Sequence, residues 1–201
     1  VYSAGNAVTY DKKMDVTFSM PKDWNRYFAD TRNGMSKYLK KYNMELLAVN
    51  KEWNEFIEIY VHEAAAGLPA SLDQASSQEL AAFESQALDI LDHPADKAYS
   101  VSPEKSQSYI DGSSLTFYKS VYQREVRSSK EYDTVFDFMT IKDGYILEFC
   151  GYHVDDAPER ASSDIRVLKK RMNALANGMT IGNTTSLYKD AAGNSWSDKI
   201  K

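Results

Sequence analysis

The chain has a single cysteine, Cys150, among its 201 residues. An internal disulfide is therefore excluded, and pairing gives no reading of redox compartment. Histidine is nearly as scarce, and His62, His93 and His153 lie too far apart for a local metal motif. Long apolar runs are missing. Nothing approaches the roughly 20 apolar residues that a bilayer-crossing helix needs. Positive charge is in deficit: 24 basic against 29 acidic side chains leave a net charge of −5. The basic clusters Lys40-Lys41 and Lys169-Lys170-Arg171 are short. Nucleic acid and anionic membranes both require concentrated positive charge, so the composition argues against both partners. There is no Gly-x-Ser-x-Gly and no glycine-rich loop before a helix, which sets aside serine nucleophiles and phosphate cradles of those kinds.

What is present suits a globular domain. Apolar residues make up 43% and charged residues 26% of the chain, and tyrosine is abundant at 14. A chain of this length buries roughly 70% of its unfolded surface, enough for a core without staples. The first residue is Val1 rather than methionine, which fits removal of a leader. The expected organisation is a linker over 1–7, one domain over 8–181 and a polar extension over 182–201.

Periodicity supplies the elements. MDVTFSM (14–20) alternates apolar and polar residues like a half-buried strand, and Pro21 stops it. MELLAVN (44–50) and EFIEIYVHEA (55–64) read as a hairpin pair. Beyond Gly67-Leu68-Pro69, Leu80, Phe83, Ala87 and Leu91 recur at helical spacing, with Ser71 or Asp73 as the expected cap. Asp111-Gly112 and Lys142-Asp143-Gly144 mark hairpins among the strands of 106–126, 132–141 and 145–154. A last helix opens near Asp156-Ala157-Pro158-Glu159 and carries Ile165, Leu168, Met172, Leu175 and Met179 on one stripe. Strands joined by hairpins, with separate helices, indicate α+β. Val135–Ile141 is apolar at both parities, so both sheet faces should be covered. The expectation is an antiparallel sheet with helices on both faces, an α-β-α sandwich.

This order resembles the PsbP-like fold. The resemblance is carried by FSMPKDW (18–24), the hairpin pair and long helix after it, IDGSSLTFY (110–118), two more hairpin strands and the helix IRVLKKRMNAL (165–175). It spans about residues 8 to 181. The fold is shared by an extrinsic protein of the photosynthetic oxygen-evolving complex, a Ran-binding nuclear transport factor and many small bacterial exported or lipid-anchored proteins. It implies a binding or assembly role and supplies no common catalytic residues.

Candidate chemistry is sparse. Cys150 and His153 are three apart in a strand, so they point to opposite faces unless Gly151 forms a bulge. Cys150 should share its face with Ile146, Glu148 and Tyr152 as a small buried hydrophobe. Asp155-Asp156 fits a helix N-terminus better than a metal site. Asp137, between Phe136 and Phe138, would need a partner such as Arg124 or Lys119 if it points inward. Tyr118 and Tyr122 share a parity in a tyrosine-rich region that suits an interface or a sugar. Trp24, Tyr27 and Phe28 form a second aromatic cluster.

The leading expectation is a non-enzymatic exported or lipid-anchored binding or assembly domain of a bacterial cell surface, extracytoplasmic, with a lipid anchor upstream of Val1 as one mode of attachment. Its partner is an unidentified protein or small ligand, and no cofactor, metal or catalytic residue is expected. The binding candidates are Tyr118, Tyr122, Trp24, Tyr27 and Asp137. That reading anticipates an aromatic groove and no convergent acid–base pair. The alternatives are a hydrolase using Asp137, His153 or Asp155, assembled only in three dimensions, and a carbohydrate-binding module using the tyrosine face.

Overall fold

The computed structural model describes residues 2–10, 14–21, 23–29, 34–128, 131–154 and 161–182. Two antiparallel sheets and three α-helices account for most of them. Strands β1 (Tyr2–Tyr10), β2 (Met14–Pro21) and β10 (Thr180–Gly182) form the smaller sheet, in the order β1-β2-β10. The larger sheet contains β3 (Asn25–Phe28), β4 (Met44–Val49), β5 (Glu55–Glu63), β6 (Tyr99–Asp111), β7 (Thr116–Val126), β8 (Glu131–Lys142) and β9 (Tyr145–His153). Its order is β3-β4-β5-β9-β8-β7-β6. The helices are α1 (Ser36–Lys41), α2 (Ser77–Asp92) and α3 (Ala161–Gly178).

Local chemistry explains most boundaries. The β8–β9 hairpin turns on Asp143 and Gly144, at φ 47° and 87°. Two successive left-handed residues give the turn whose twist matches the strands, and Asp-Gly is a favoured pair for it. A capping box starts α2. The Ser76 hydroxyl accepts from the Glu79 backbone N–H, and the Glu79 carboxylate accepts from the Ser76 N–H at 2.8 Å. The cap is thus Ser76 and not Ser71 or Asp73, because Leu72–Gln74 forms a separate 3-10 turn before it. The Ser-x-x-Glu signature that fixes this start lies in the letters.

Both faces of the large sheet are covered, as the apolar residues at both parities of Val135–Ile141 require. Under α3 and β2, Phe117, Phe136, Phe138 and Phe149 pack against Leu168, Met172 and Leu175 of the helix and Val16, Phe18 and Met20 of the strand. On the opposite face α2 places Phe83, Ala87 and Leu91 over Tyr118, Val135, Met139 and Ile141. The short α1, which periodicity does not mark, buries Leu39 over Met44, Leu47 and Val49 on that same side. Residues 1–7, expected as a linker, fall largely in β1, paired with β2 from Tyr2↔Pro21 to Tyr10↔Met14. That stretch lacks an apolar alternation, so its pairing partner and not its own pattern makes it a strand. Beyond Gly182 the expected polar extension lies outside the described residues.

The turn after β6 is pinned to the end of α3. Gly112 donates to the Leu115 carbonyl at 2.8 Å, and Ser113 N–H donates to the Asn177 carbonyl at 3.1 Å. A Cβ on Gly112 would stand 2.8 Å from the Ala176 carbonyl oxygen, with backbone on the far side that cannot swing away. Gly112→Ala is expected to cost about 1–3 kcal/mol, read as a lower urea midpoint at unchanged slope.

Candidate ligand cavity

A cavity of about 400 Å³ opens between α1, the C-terminal end of α2 with the loop after it, and the large sheet. Its floor is the polar part of an otherwise apolar sheet face. Glu58 on β5 and Cys150 on β9 are direct cross-strand partners, as are Cys150 and Asp137 on β8. Three neighbouring strands therefore place acid, thiol and acid side by side.

Glu58 is a hub. One of its carboxylate oxygens accepts from the Tyr60 hydroxyl at 2.8 Å and the Cys150 thiol at 3.7 Å. The other accepts from the Tyr152 hydroxyl at 2.7 Å. Beside it, the Glu148 carboxylate and His62 Nε2 are 2.5 Å apart. Arg124 lies between the rings of Tyr99 and Tyr152, at 3.9 and 3.8 Å from their centroids, and its Nη2 donates to Asp133 at 3.2 Å.

Asp137 is the outlier. It is 1% exposed, and its carboxyl group is set against the Glu148 carboxylate and the Tyr122 hydroxyl. Burial, reinforced by the negative charge of Glu148, holds its pKa well above the ordinary carboxyl range. Burial and the charges of Glu58 and Asp137 likewise push the Cys150 thiol up. A buried thiol kept protonated is inert as a nucleophile. Donor atoms of Asp137, Glu148 and Cys150 lie within 4.8 Å of one another, and among the described residues this is the group that could hold a metal.

The binding candidates singled out by the sequence scatter around this site. Tyr122 borders the cavity, but Tyr118 is buried under α2, edge-on to Phe83 at 6.1 Å. Trp24 belongs to the core under α3, with the Arg171 guanidinium 5.0 Å from its ring. Tyr27 packs with the α1 cluster and meets Trp53 at 6.1 Å. Neither partner expected for Asp137 reaches it. Lys119 has the opposite strand parity and donates to Asn173 of α3 at 3.3 Å. Arg124 is opposite Asp133 on β8 and pairs there. The register of β9 runs unbroken through Gly151, with no bulge, so Cys150 and His153 stay on opposite faces. Asp137 and His153 are separated by the sheet in the same way, and Asp155 and Asp156 lie outside the described residues.

Three central residues escape sequence reasoning: Glu58, His62 and Glu148. Their one signal is parity. Glu58, Tyr60 and His62 alternate along β5, and Glu148, Cys150 and Tyr152 along β9. Which strand lies beside which is not written in either run. A cavity bordered by tyrosines is present. So is a convergent His62–Glu148 pair, where the expectation was of none; the two residues meet only because β5 and β9 are neighbours.

No family model and no curated protein matches the chain. Solved structures do. The solution structure of cyanobacterial PsbP (CyanoP) from Synechocystis sp. PCC 6803 is similar over 89% of this chain and 93% of that one, at 10% identity and a TM-score of 0.52. LpqN, involved in cell envelope biogenesis of Mycobacterium tuberculosis, is similar over 89% and 91%, at 12% identity and a TM-score of 0.48. A Bacteroides thetaiotaomicron protein is similar over 84% of this chain and 45% of its own, at 14% identity and a TM-score of 0.42. The likeness to cyanobacterial PsbP defines the class: an α+β sandwich of PsbP-like fold. At these identities the likeness establishes the fold alone. Among the described residues no helix is long and apolar enough to cross a membrane.

Proposed function

We propose that the protein is a non-enzymatic, extracytoplasmic binding domain whose ligand is a small molecule seated in the cavity between α1, α2 and the sheet. The observation that carries this reading is the convergence of Glu58, His62, Glu148 and Tyr122 on one cavity of about 400 Å³. Sites for small molecules are concave, few, and combine apolar walls with a small number of aimed polar groups. The extracytoplasmic address, with or without a lipid anchor, is argued from the PsbP-like fold and its exported members. The tyrosines support a polar organic ligand, and a sugar would have to centre on Tyr122, since Tyr118 is covered.

The test is a fragment screen by protein NMR, with cationic, neutral and anionic compounds represented equally. Ligands are expected to shift the amide signals of Glu58, Tyr60, Tyr122 and Glu148 together. Ala95 is exposed at the cavity wall, so Ala95→Trp is expected to block the site without unfolding the protein. Hits at saturating concentration should also stabilise the fold, by about 2.7 kcal/mol at a hundred times Kd. Shifts scattered over the surface and indifferent to Ala95→Trp would refute the reading.

One observation favours a second reading. His62 and Glu148 are placed as an imidazole oriented by a carboxylate, the arrangement of a general base. Cys150, buried and held protonated, is no nucleophile, so a hydrolase here would have to activate water. Turnover of a chromogenic ester panel, lost in His62→Gln while fragment binding persists, would favour the enzyme.

A further inference from the structure

We infer that the ligand of this cavity is an organic ammonium ion, its charged nitrogen at Glu58 and Glu148 and its body among the tyrosines. This inference rests on the small-molecule reading of the cavity and adds the charge class of the ligand.

The argument begins with which charges are already matched. The basic side chains at the wall are committed. Arg124 is clamped between two rings and bonded to Asp133. His62 is bonded to Glu148. His93 turns back onto Asp89 at 3.1 Å, just past the last turn of α2. The acids are not matched to the same degree. Glu58 is buried, and the hydrogen bonds it accepts come from two hydroxyls and a thiol, all neutral. Asp137, just behind, is buried and has the Glu148 carboxylate and the Tyr122 hydroxyl as its polar neighbours. Glu58, Glu148 and Asp133 thus stand against Arg124 and His62, with Asp137 kept protonated behind them, so acidic side chains outnumber basic ones in a largely buried region. Buried charge without a counter-charge is costly, so a cation entering the cavity gains more there than at an exposed carboxylate.

The walls decide what kind of cation. Tyr38, Tyr42, Tyr60, Tyr99 and Tyr122 border the space. Electron-rich rings attract organic ammonium groups and give a bare hydrated ion little. The volume points the same way: about 400 Å³ is many times the roughly 30 Å³ that one water occupies in the liquid. A divalent ion held by Asp137, Glu148 and Cys150 would engage Glu148 and Cys150 at the cavity wall and leave the tyrosines unused.

A charge series of matched size tests this on the intact chain by calorimetry and NMR titration: phenethylamine, 2-phenylethanol and 3-phenylpropionate, with zinc chloride as a separate arm. Phenethylamine is expected to bind at least about tenfold more tightly than the alcohol, and the carboxylate not at all. Glu148→Gln keeps the side-chain shape and should weaken the amine about tenfold while leaving the alcohol unchanged. Equal affinity for amine and alcohol, or an amine indifferent to Glu148→Gln, overturns the inference and leaves the cavity a ligand site. Zinc binding that is lost in Asp137→Asn and excludes the amine overturns it in favour of a metal. No shift at Tyr60 or Tyr122 with any of the probes overturns this inference and, unless the wider fragment screen finds ligands there, the cavity reading too.

Discussion

Asp137→Asn is expected to be more stable than the wild type at pH 8 and to match it near pH 4. The sign follows from linkage. Burial first, and the Glu148 charge second, raise the folded-state pKa of Asp137 well above its value in the unfolded chain. Between those two values the folded protein holds a proton that the unfolded chain releases. Folding therefore weakens as pH rises, by up to about 1.4 kcal/mol for each pH unit across that window. Below the unfolded value both states are protonated and the penalty vanishes. Asparagine cannot ionise, is close in shape, and should show no such decline from this site. Urea denaturation of both proteins at a series of pH values measures it, and parallel curves would refute the assignment. A bound organic cation should flatten the wild-type decline, because positive charge nearby lowers the cost of ionising Asp137. It should leave the variant's slope from this site unchanged.

The two sides of the sheet are not equally legible in the amino-acid sequence. The apolar stripes are readable because burial is written as period: Phe83, Ala87 and Leu91 on α2 and Leu168, Met172 and Leu175 on α3 recur at helical spacing and are buried where that spacing puts them. The Asp143-Gly144 turn is readable because few residues tolerate two left-handed conformations in succession. The isolation of Cys150 from His153 follows from strand parity alone. The cavity floor is not readable, because it depends on which strands are neighbours. Glu58 meets Cys150 only because β5 lies beside β9, 92 residues apart in sequence for that contact. Within β8 alone, Asp137 asks for a cation, and the candidates on the preceding strand are Lys119 and Arg124. Parity removes Lys119, and register gives Arg124 to Asp133. The short α1 and the strand β1 carry too little pattern of their own. They are held by what they pack or pair against.

Phe138→Ala is expected to cost about 3–5 kcal/mol, the usual loss for emptying a large aromatic site in a closed core. Phe138 is fully buried and stacks on Phe149 with centroids 4.9 Å apart and planes 7° from parallel, while Phe117 meets both rings edge-on. Van der Waals contacts made by all three rings are lost together, and α3 closes the space from above, so relaxation can recover little. Its neighbour Asp137 points to the other face, so the two substitutions separate packing from electrostatics across one strand. The Phe138→Ala loss should be the same at pH 4 and pH 8, whereas the effect of Asp137→Asn appears only as pH rises. Affinity for phenethylamine, measured under conditions where Phe138→Ala remains folded, should equal that of the wild type, since no atom of the cavity floor is touched. Phe138→Leu, which refills part of the space, should recover a substantial share of the stability. A pH-dependent loss in Phe138→Ala, or a ligand affinity that falls with it, would show that the packed face and the polar face are coupled through β8 and would refute their independence.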